Sequence, residues 1–343
     1  MKLIKKQLKY YVILLIPLLS LLSLKAKGST TFVAVFFFFI IVPCIELFTT
    51  SNHSGFDRKT ALQEKRKFSY SILLLIAFVT QYFLLFQFLY EISNTPFLSS
   101  DYFGKISAMG LSCGIIGINI GHELGHRNSR LYQLLGELSL LTSLQCHCIP
   151  YHNQVHHYMF ATHDDPETAR KNESLYAFWI RFQCMSFIAS WNTEISHMKR
   201  LEKPTLSLSN RMIVYAIYYL LILLFILIKF GNNTLFAFVF AAVLGILFTA
   251  TFSYVSHYGL LRKSKNNIYE RPNPNHSWDA NQPIGLLLLL NRPRHSDHHK
   301  NSSKSYHLLL SIEKSRSLPT GYPGMMLCAL IPPLWKYLIH RRL

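Results

Sequence analysis

The sequence predicts an all-α integral membrane protein, with about six transmembrane helices under a cytoplasmic, histidine-rich cap built for two metal ions. Three observations predict it. Half of the 343 residues are hydrophobic and only 15% are charged, against about 25% charged in a typical soluble domain. The apolar residues come in blocks close to the ~20 residues that a bilayer core requires of a helix. Nine of the sixteen histidines fall into four tight groups, each beside one of those blocks.

Six segments are long and apolar enough to be spans: residues 10–24, 31–48, 69–90, 106–120, 212–230 and 235–255. The first, second and fourth are short and are expected to extend into flanking polar residues. The first follows Lys2, Lys5, Lys6 and Lys9, as the apolar run of a signal peptide would. No small-residue cleavage site follows it and a second apolar block begins at once, so it reads as a retained helix. The connections after the first, third and fifth segments (25–29, 91–105 and 231–234) are short or poor in Lys and Arg, whereas the others are rich in them. The positive-inside rule then puts both termini in the cytoplasm. All four histidine groups fall on that same side, in a cap made of residues 121–211 and 256–343.

The net charge of +18 sits in these loops, where it suits a lipid surface and gives no support to nucleic-acid binding. Residues 131–149 are apolar, but a spanning helix there would separate the first two histidine groups across the bilayer, so a buried or interfacial helix is expected. Residues 286–290 are too short to span, and Pro332 and Pro333 break the stretch 325–339. No internal repeat is visible, and the chain reads as one membrane domain over residues 1–343. The six cysteines form no CxxC pair and read as buried, reduced thiols.

The histidine groups carry the chemistry. His122 and His126 lie four apart in Gly121-His122-Glu123-Leu124-Gly125-His126, so a helix would present both to one metal. The same run matches HExxH, in which Glu123 would serve a zinc protease as general base. His152, His156 and His157 repeat the spacing and add a neighbour turned about 100° away, which can serve a second metal. His257 closes the sixth apolar segment. His295, His298 and His299 again combine a shared face with a neighbour. A single histidine here is well explained as a polar residue at a membrane edge, but nine in four groups are not, because ionisable groups at such depth are costly. Nine imidazoles also exceed what one tetrahedral ion can use. The other seven (His53, His147, His163, His197, His276, His307 and His340) read as non-ligands.

Taken in order, HELGH, HNxxHH, HYGL and RHSDHH resemble the motifs of the bacterial membrane alkane hydroxylases, the alkane 1-monooxygenase family, which is related to membrane fatty-acid desaturases. The resemblance extends to Asp165-Pro166-Glu167, Glu173-Ser174, His276-Ser277-Trp278 and the run from Leu318 to Gly324. Tyr151, His163, Arg127 and Arg292-Pro293-Arg294 depart from the usual pattern, and none of these departures removes a ligand. The resemblance implies a di-iron centre (two iron ions) held by the nine histidines, dioxygen as oxidant, and terminal hydroxylation of medium-chain alkanes. It also implies electrons from a rubredoxin-type donor with its reductase, and a place in the bacterial inner plasma membrane. A bulky residue on the second helix limits chain length in that family, and Phe38 holds the matching position.

The chemistry of the residues is consistent with this. Imidazole-rich ligation suits iron and leaves positions open for dioxygen, and few carboxylates accompany the histidines, unlike soluble carboxylate-bridged bundles. Glu123, Asp164, Asp165 and Asp297 are expected to hold imidazole N–H groups and fix their tautomers. Three alternatives remain: a hydroxylase or desaturase of fatty-acyl or other hydrophobic substrates, an intramembrane zinc protease using HELGH, and a metal-binding or transport protein without catalysis. The protease leaves most of the clustered histidines idle. Transport calls for polar residues deep in the helices, whose centres are nearly uncharged.

Overall fold

The computed structural model describes residues 7–266 and 268–343; Lys2, Lys5 and Lys6 of the first basic group lie outside them. The chain is helical throughout its apolar blocks. Among the described residues, five helices have the length and composition to cross a bilayer: α2 (Gly28–Leu47), α4 (Ser69–Ser93), α5 (Ser100–Gly125), α9 (Arg211–Phe230) and α10 (Asn232–His257). The first expected span is also helical. It forms α1 over residues 9–25, a six-residue 3-10 stretch continued by eleven α-helical residues. That falls a little short of the ~20 residues of a full crossing. The chain leaves α1 through extended Ala26 and through Gly28 at φ +64°, a left-handed position that glycine adopts without strain.

α5 is the axis of the bundle, with 89% of its apolar window buried against 11% for α9, so α9 presents most of its surface to lipid. Glycines let α5 sit there. A Cβ on Gly245 of α10 would come within 2.6 Å of Cys113 Cβ, and one on Gly121 within 2.9 Å of the Gly136 carbonyl. Small residues at crossings let backbones approach closely where the hydrophobic effect cannot drive helices together. Gly136 belongs to α6 (Arg130–Leu141). This is the helix expected in residues 131–149, and its twelve residues are too few to span. Gln81 of α4 ties the centre together by accepting from Ser112 Oγ at 2.7 Å and donating to Thr142 Oγ1 at 3.2 Å.

The helix α8 (Leu175–Arg200, 26 residues) has no counterpart among the apolar blocks. Its outer side exposes Ile180, Met185, Phe187 and Ile188, while Arg181 and Glu194 are bound inward to Glu173 and Arg211. Such an amphipathic surface suits a helix at the membrane edge. The remaining elements form the cap. They are the short α3 (Arg58–Lys65), α7 over residues 148–159, α11 (Pro283–Leu288), α12 (His295–Lys300), α13 (Tyr322–Ala329) and α14 (Pro332–Ile339). Two small ladders, Ser264–Lys265 with Ile268–Tyr269 and Trp278–Asp279 with Arg316–Ser317, pin the loops. α13 and α14 break at Pro332, as the two prolines require.

Candidate metal centre

Four elements converge where α5 and α10 end. α5 brings His122 and His126, α7 brings His152, His156 and His157, α10 brings His257, and α12 brings His295, His298 and His299. They sort into two tetrads, His122–His126–His152–His298 and His156–His257–His295–His299, in each of which the ligand atoms lie within 4.8 Å of one another. In the first, His122 Nε2 stands 2.7 Å from His152 Nε2 and 3.2 Å from His126 Nε2. In the second, the Nε2 atoms of His257, His295 and His299 lie 2.9 to 3.2 Å apart.

The pairs His122/His126 and His295/His299 share a tetrad, as i, i+4 spacing on a helix requires. His152 and His156 have the same spacing and part company. The turn over His152–His156 is a π-helix, a winding that recurs at functional sites. His157 belongs to neither tetrad. Its ring centroid lies 5.0 Å from that of His126, 4.5 Å from His152, 4.9 Å from His298 and 5.0 Å from His299.

The donors fit a pair of cations. A nitrogen ~2.1 Å from a metal lies about 3 Å from the next nitrogen at a right angle, which is the spacing found within each tetrad. His156 Nε2, His298 Nε2 and both nitrogens of His157 are buried without a hydrogen-bond partner, a costly arrangement for groups with nothing to bind. The rings are also kept neutral, as ligation demands. Burial, together with the Arg292 charge, holds His126 down to about 3. Burial, with His126 and His156 alongside, holds His157 down to about 2. His295, His298 and His299 are pushed well below the ordinary imidazole value, first by burial and then by one another. His156 is the exception: burial lowers it, but the Glu167 and Asp165 carboxylates outweigh that and raise it.

Only one of the four carboxylates expected to hold an imidazole does so. Asp165 Oδ2 lies 2.9 Å from His156 Nδ1, and its Oδ1 accepts from Tyr151 OH at 2.7 Å. Glu123 is taken by Arg127 at 3.0 Å and by the Tyr306 N–H at 3.3 Å. Asp164 is exposed, with Tyr269 OH 3.5 Å away. Asp297 lies between His295 and His298 in sequence, so it points to another side of α12, where Lys304, Asn301 and the Leu310 N–H bind it. Glu167, which the sequence did not single out, does reach the histidines. Its Oε2 is 3.6 Å from His152 Nδ1 and 3.5 Å from His156 Nδ1. Its place two residues after Asp165 was the available signal.

The profile of the family described as fatty acid desaturase matches residues 103–325, a stretch that contains all nine clustered histidines. The chain belongs to the fatty acid desaturase family. Within this family its relatives include alkane 1-monooxygenases. It is 35% identical over 232 residues to the alkane 1-monooxygenase of Ectopseudomonas oleovorans, covering 66% of this chain and 58% of that protein. It is 30% identical over 303 residues to alkane 1-monooxygenase 1 of Alcanivorax borkumensis, covering 88% of this chain and 75% of that protein. Alkane 1-monooxygenase 2 of Pseudomonas aeruginosa is 35% identical over 234 residues, covering 68% of this chain and 62% of that protein.

In this desaturase-family chain the seven remaining histidines stay out of both tetrads. His163 is exposed, His276 caps a 3-10 turn and contacts Glu270, and His307 stacks on Tyr70. His147 is buried against Phe187. Two cavities compete as a substrate site. The larger, about 560 Å³, is a polar surface groove lined by Lys171, Lys263, His276 and Arg316. The other, about 240 Å³, is apolar and lies among the helices, lined by Val35, Phe39, Leu111, Trp179, Phe248 and Met326, with Thr251 at its edge. Thr251 is six residues before His257 on α10, a rise of ~9 Å, so this cavity meets α10 roughly two turns before that tetrad ligand. Phe38 is fully buried, but it does not line the cavity. Its ring sits 5.0 Å from Phe39 and 5.3 Å from Phe248, which do. The π-turn Phe37–Ile41 rotates Phe39 into the wall and leaves Phe38 behind it.

Proposed function

We propose that this chain is a membrane di-iron monooxygenase that hydroxylates the terminal carbon of medium-chain alkanes. One observation carries the reading: two tetrads of converging, buried imidazoles gather at the end of α10, whose preceding turns line an apolar cavity set among membrane helices. The nine clustered histidines hold two irons, which, when bound, supply the activation of dioxygen that an unactivated C–H bond requires. The protein's own share is placement. Among the described residues no charged one lines the cavity, so it orients a hydrocarbon by exclusion. The relatives' names support the substrate class. Electrons arrive from a rubredoxin-type carrier with its reductase. Lys171, Lys263 and Arg316 on the cap would suit an acidic carrier. The lysine and arginine bias supports a topology with both termini on the cytoplasmic side, in a bacterial inner membrane.

A fatty-acyl substrate is the second reading, favoured by the family's description. It would need a polar seat for the head group, and the polar groups at the cavity are Ser107 and Thr251. The protease reading loses its general base, because the Glu123 carboxylate is bound by Arg127 and Tyr306. A whole-cell assay on alkanes of graded length, with a rubredoxin system supplied, tests the proposal. Primary alcohols support it. Desaturated or hydroxylated acyl chains with no alkanol would replace it by the second reading.

A further inference from the structure

We propose that the turn Asp165-Pro166-Glu167-Thr168 is one buttress for both metal sites, with Asp165 holding His156 of one tetrad and Glu167 holding His152 of the other. This rests on the reading of the tetrads as metal sites. His152 turns its Nε2 to His122 at 2.7 Å, so its Nδ1 faces away from the first tetrad, and there Glu167 Oε2 faces it at 3.6 Å, a contact somewhat longer than a hydrogen bond. His156 has its Nδ1 on Asp165 at 2.9 Å, which leaves its unpartnered Nε2 to the second tetrad. Glu167 Oε2 is also 3.5 Å from that Nδ1. Among the described residues, Glu167 is the one carboxylate grouped with histidines of both tetrads.

The turn is itself held rigidly. Arg181 donates to the carbonyls of Pro166 and Thr168, each at 3.0 Å. Thr168 Oγ1 donates to Asp165 Oδ2 at 2.7 Å. Ser253 Oγ donates to Glu167 Oε1 at 2.5 Å, and Ser253 lies one turn before His257, so the same carboxylate is also tied to the helix that carries a second-tetrad ligand. Asp165 and Glu167 are 1% and 3% exposed, so water does not screen these contacts. A carboxylate behind a ligating imidazole fixes its tautomer and raises its basicity, and removing it typically costs 10–100-fold in metal affinity. Two such carboxylates two residues apart couple the sites: a displacement of this turn is felt by a ligand of each.

The test uses full-length protein in detergent, loaded with ⁵⁷Fe, and reads Mössbauer spectra and the rate of iron loss to a chelator. Wild type should give two quadrupole doublets, one per tetrad. Asp165→Asn should change mainly one. Glu167→Gln should change both and speed iron loss about 10–100-fold, with Glu167→Asp partly restoring it. If the Glu167 variants fail to fold, Ser253→Ala frees the same carboxylate without touching an imidazole and should perturb the same signals more weakly. Two wild-type doublets left unmoved by Glu167→Gln, or by Ser253→Ala where that variant stands in, would overturn the buttress and leave the di-iron reading standing. A wild-type protein without two irons would overturn both.

Discussion

His122 and His152, on different helices and thirty residues apart, present their Nε2 atoms to each other at 2.7 Å. Two such nitrogens can share one proton, but His126 Nε2 stands 3.2 Å from the same His122 Nε2, and one shared proton cannot satisfy three converging nitrogens. A cation bound by the two lone pairs resolves the conflict, and His126 and His298 complete its shell. The same argument holds for His257, His295 and His299.

Replacing a tetrad histidine should therefore act on one metal first. His122→Ala or His298→Ala is expected to lower iron content towards one per chain and to abolish alkane oxidation. His53→Ala and His163→Ala, at exposed positions, should keep both. Full iron in His298→Ala would show that the tetrads are wrongly drawn. The expected measurement is iron per chain by elemental analysis, beside turnover.

Chain-length selection should follow the residues that line the apolar cavity. Phe248→Ala and Phe39→Ala enlarge it directly and are expected to admit longer alkanes, since each further methylene buried contributes about 0.8 kcal/mol. Phe38→Ala should act more weakly, by letting those two rings relax into its space, and the exposed Phe36 should have no effect. Product-length profiles from a mixture of alkanes decide this. A shift in Phe38→Ala alone would place the cavity wall elsewhere.

Much of this was legible in the sequence, and the limits are physical. The apolar blocks became α1, α2, α4, α5, α9 and α10 because bilayer-length hydrophobic runs have few alternatives. His122, His126 and His257 met because they close two of those blocks, and the short α7 and α12 bring the other six to the same place. The division into tetrads was not legible, since His152 and His156 have the spacing of the other pairs and yet serve different tetrads. Asp297 and Glu123 were misleading for a related reason. Their nearness in sequence to histidines says nothing about which side of a helix they occupy. The helix α8 lacked an uninterrupted apolar run. Its place in the fold comes from contacts such as Trp179 Nε1 with Thr251 Oγ1 at 3.0 Å.

The close crossing of α5 and α6 should position the first tetrad. A Cβ on Gly136 would come within 2.8 Å of the Gly121 carbonyl, backbone that cannot move aside cheaply. Gly136→Ala is expected to destabilise the protein by roughly 1–3 kcal/mol, the usual range for overpacking. Because Gly121 adjoins His122, iron affinity should fall with it. Thermal melting in detergent and iron retention are the readouts, and unchanged values in both would mean that the helices separate freely here.

Metal-free protein should lose stability as the pH falls below the ordinary imidazole value of ~6.5. Unfolded histidines take up protons there, while His126 at about 3 and His157 at about 2 stay neutral in the fold. The unfolded state then binds more protons, so unfolding free energy decreases with decreasing pH. Melting temperatures of the apoprotein at pH 7.5, 6 and 5 should fall in that order. A flat profile would indicate that these rings are hydrated and protonated in the folded protein.

The most direct test of the whole account is metal analysis of active, purified protein, made alongside its alkane oxidation. Two irons per chain, with turnover lost on chelation and restored by ferrous iron, is the result expected from two four-histidine sites with His157 beside them. One zinc per chain, with no iron in active protein, would contradict it.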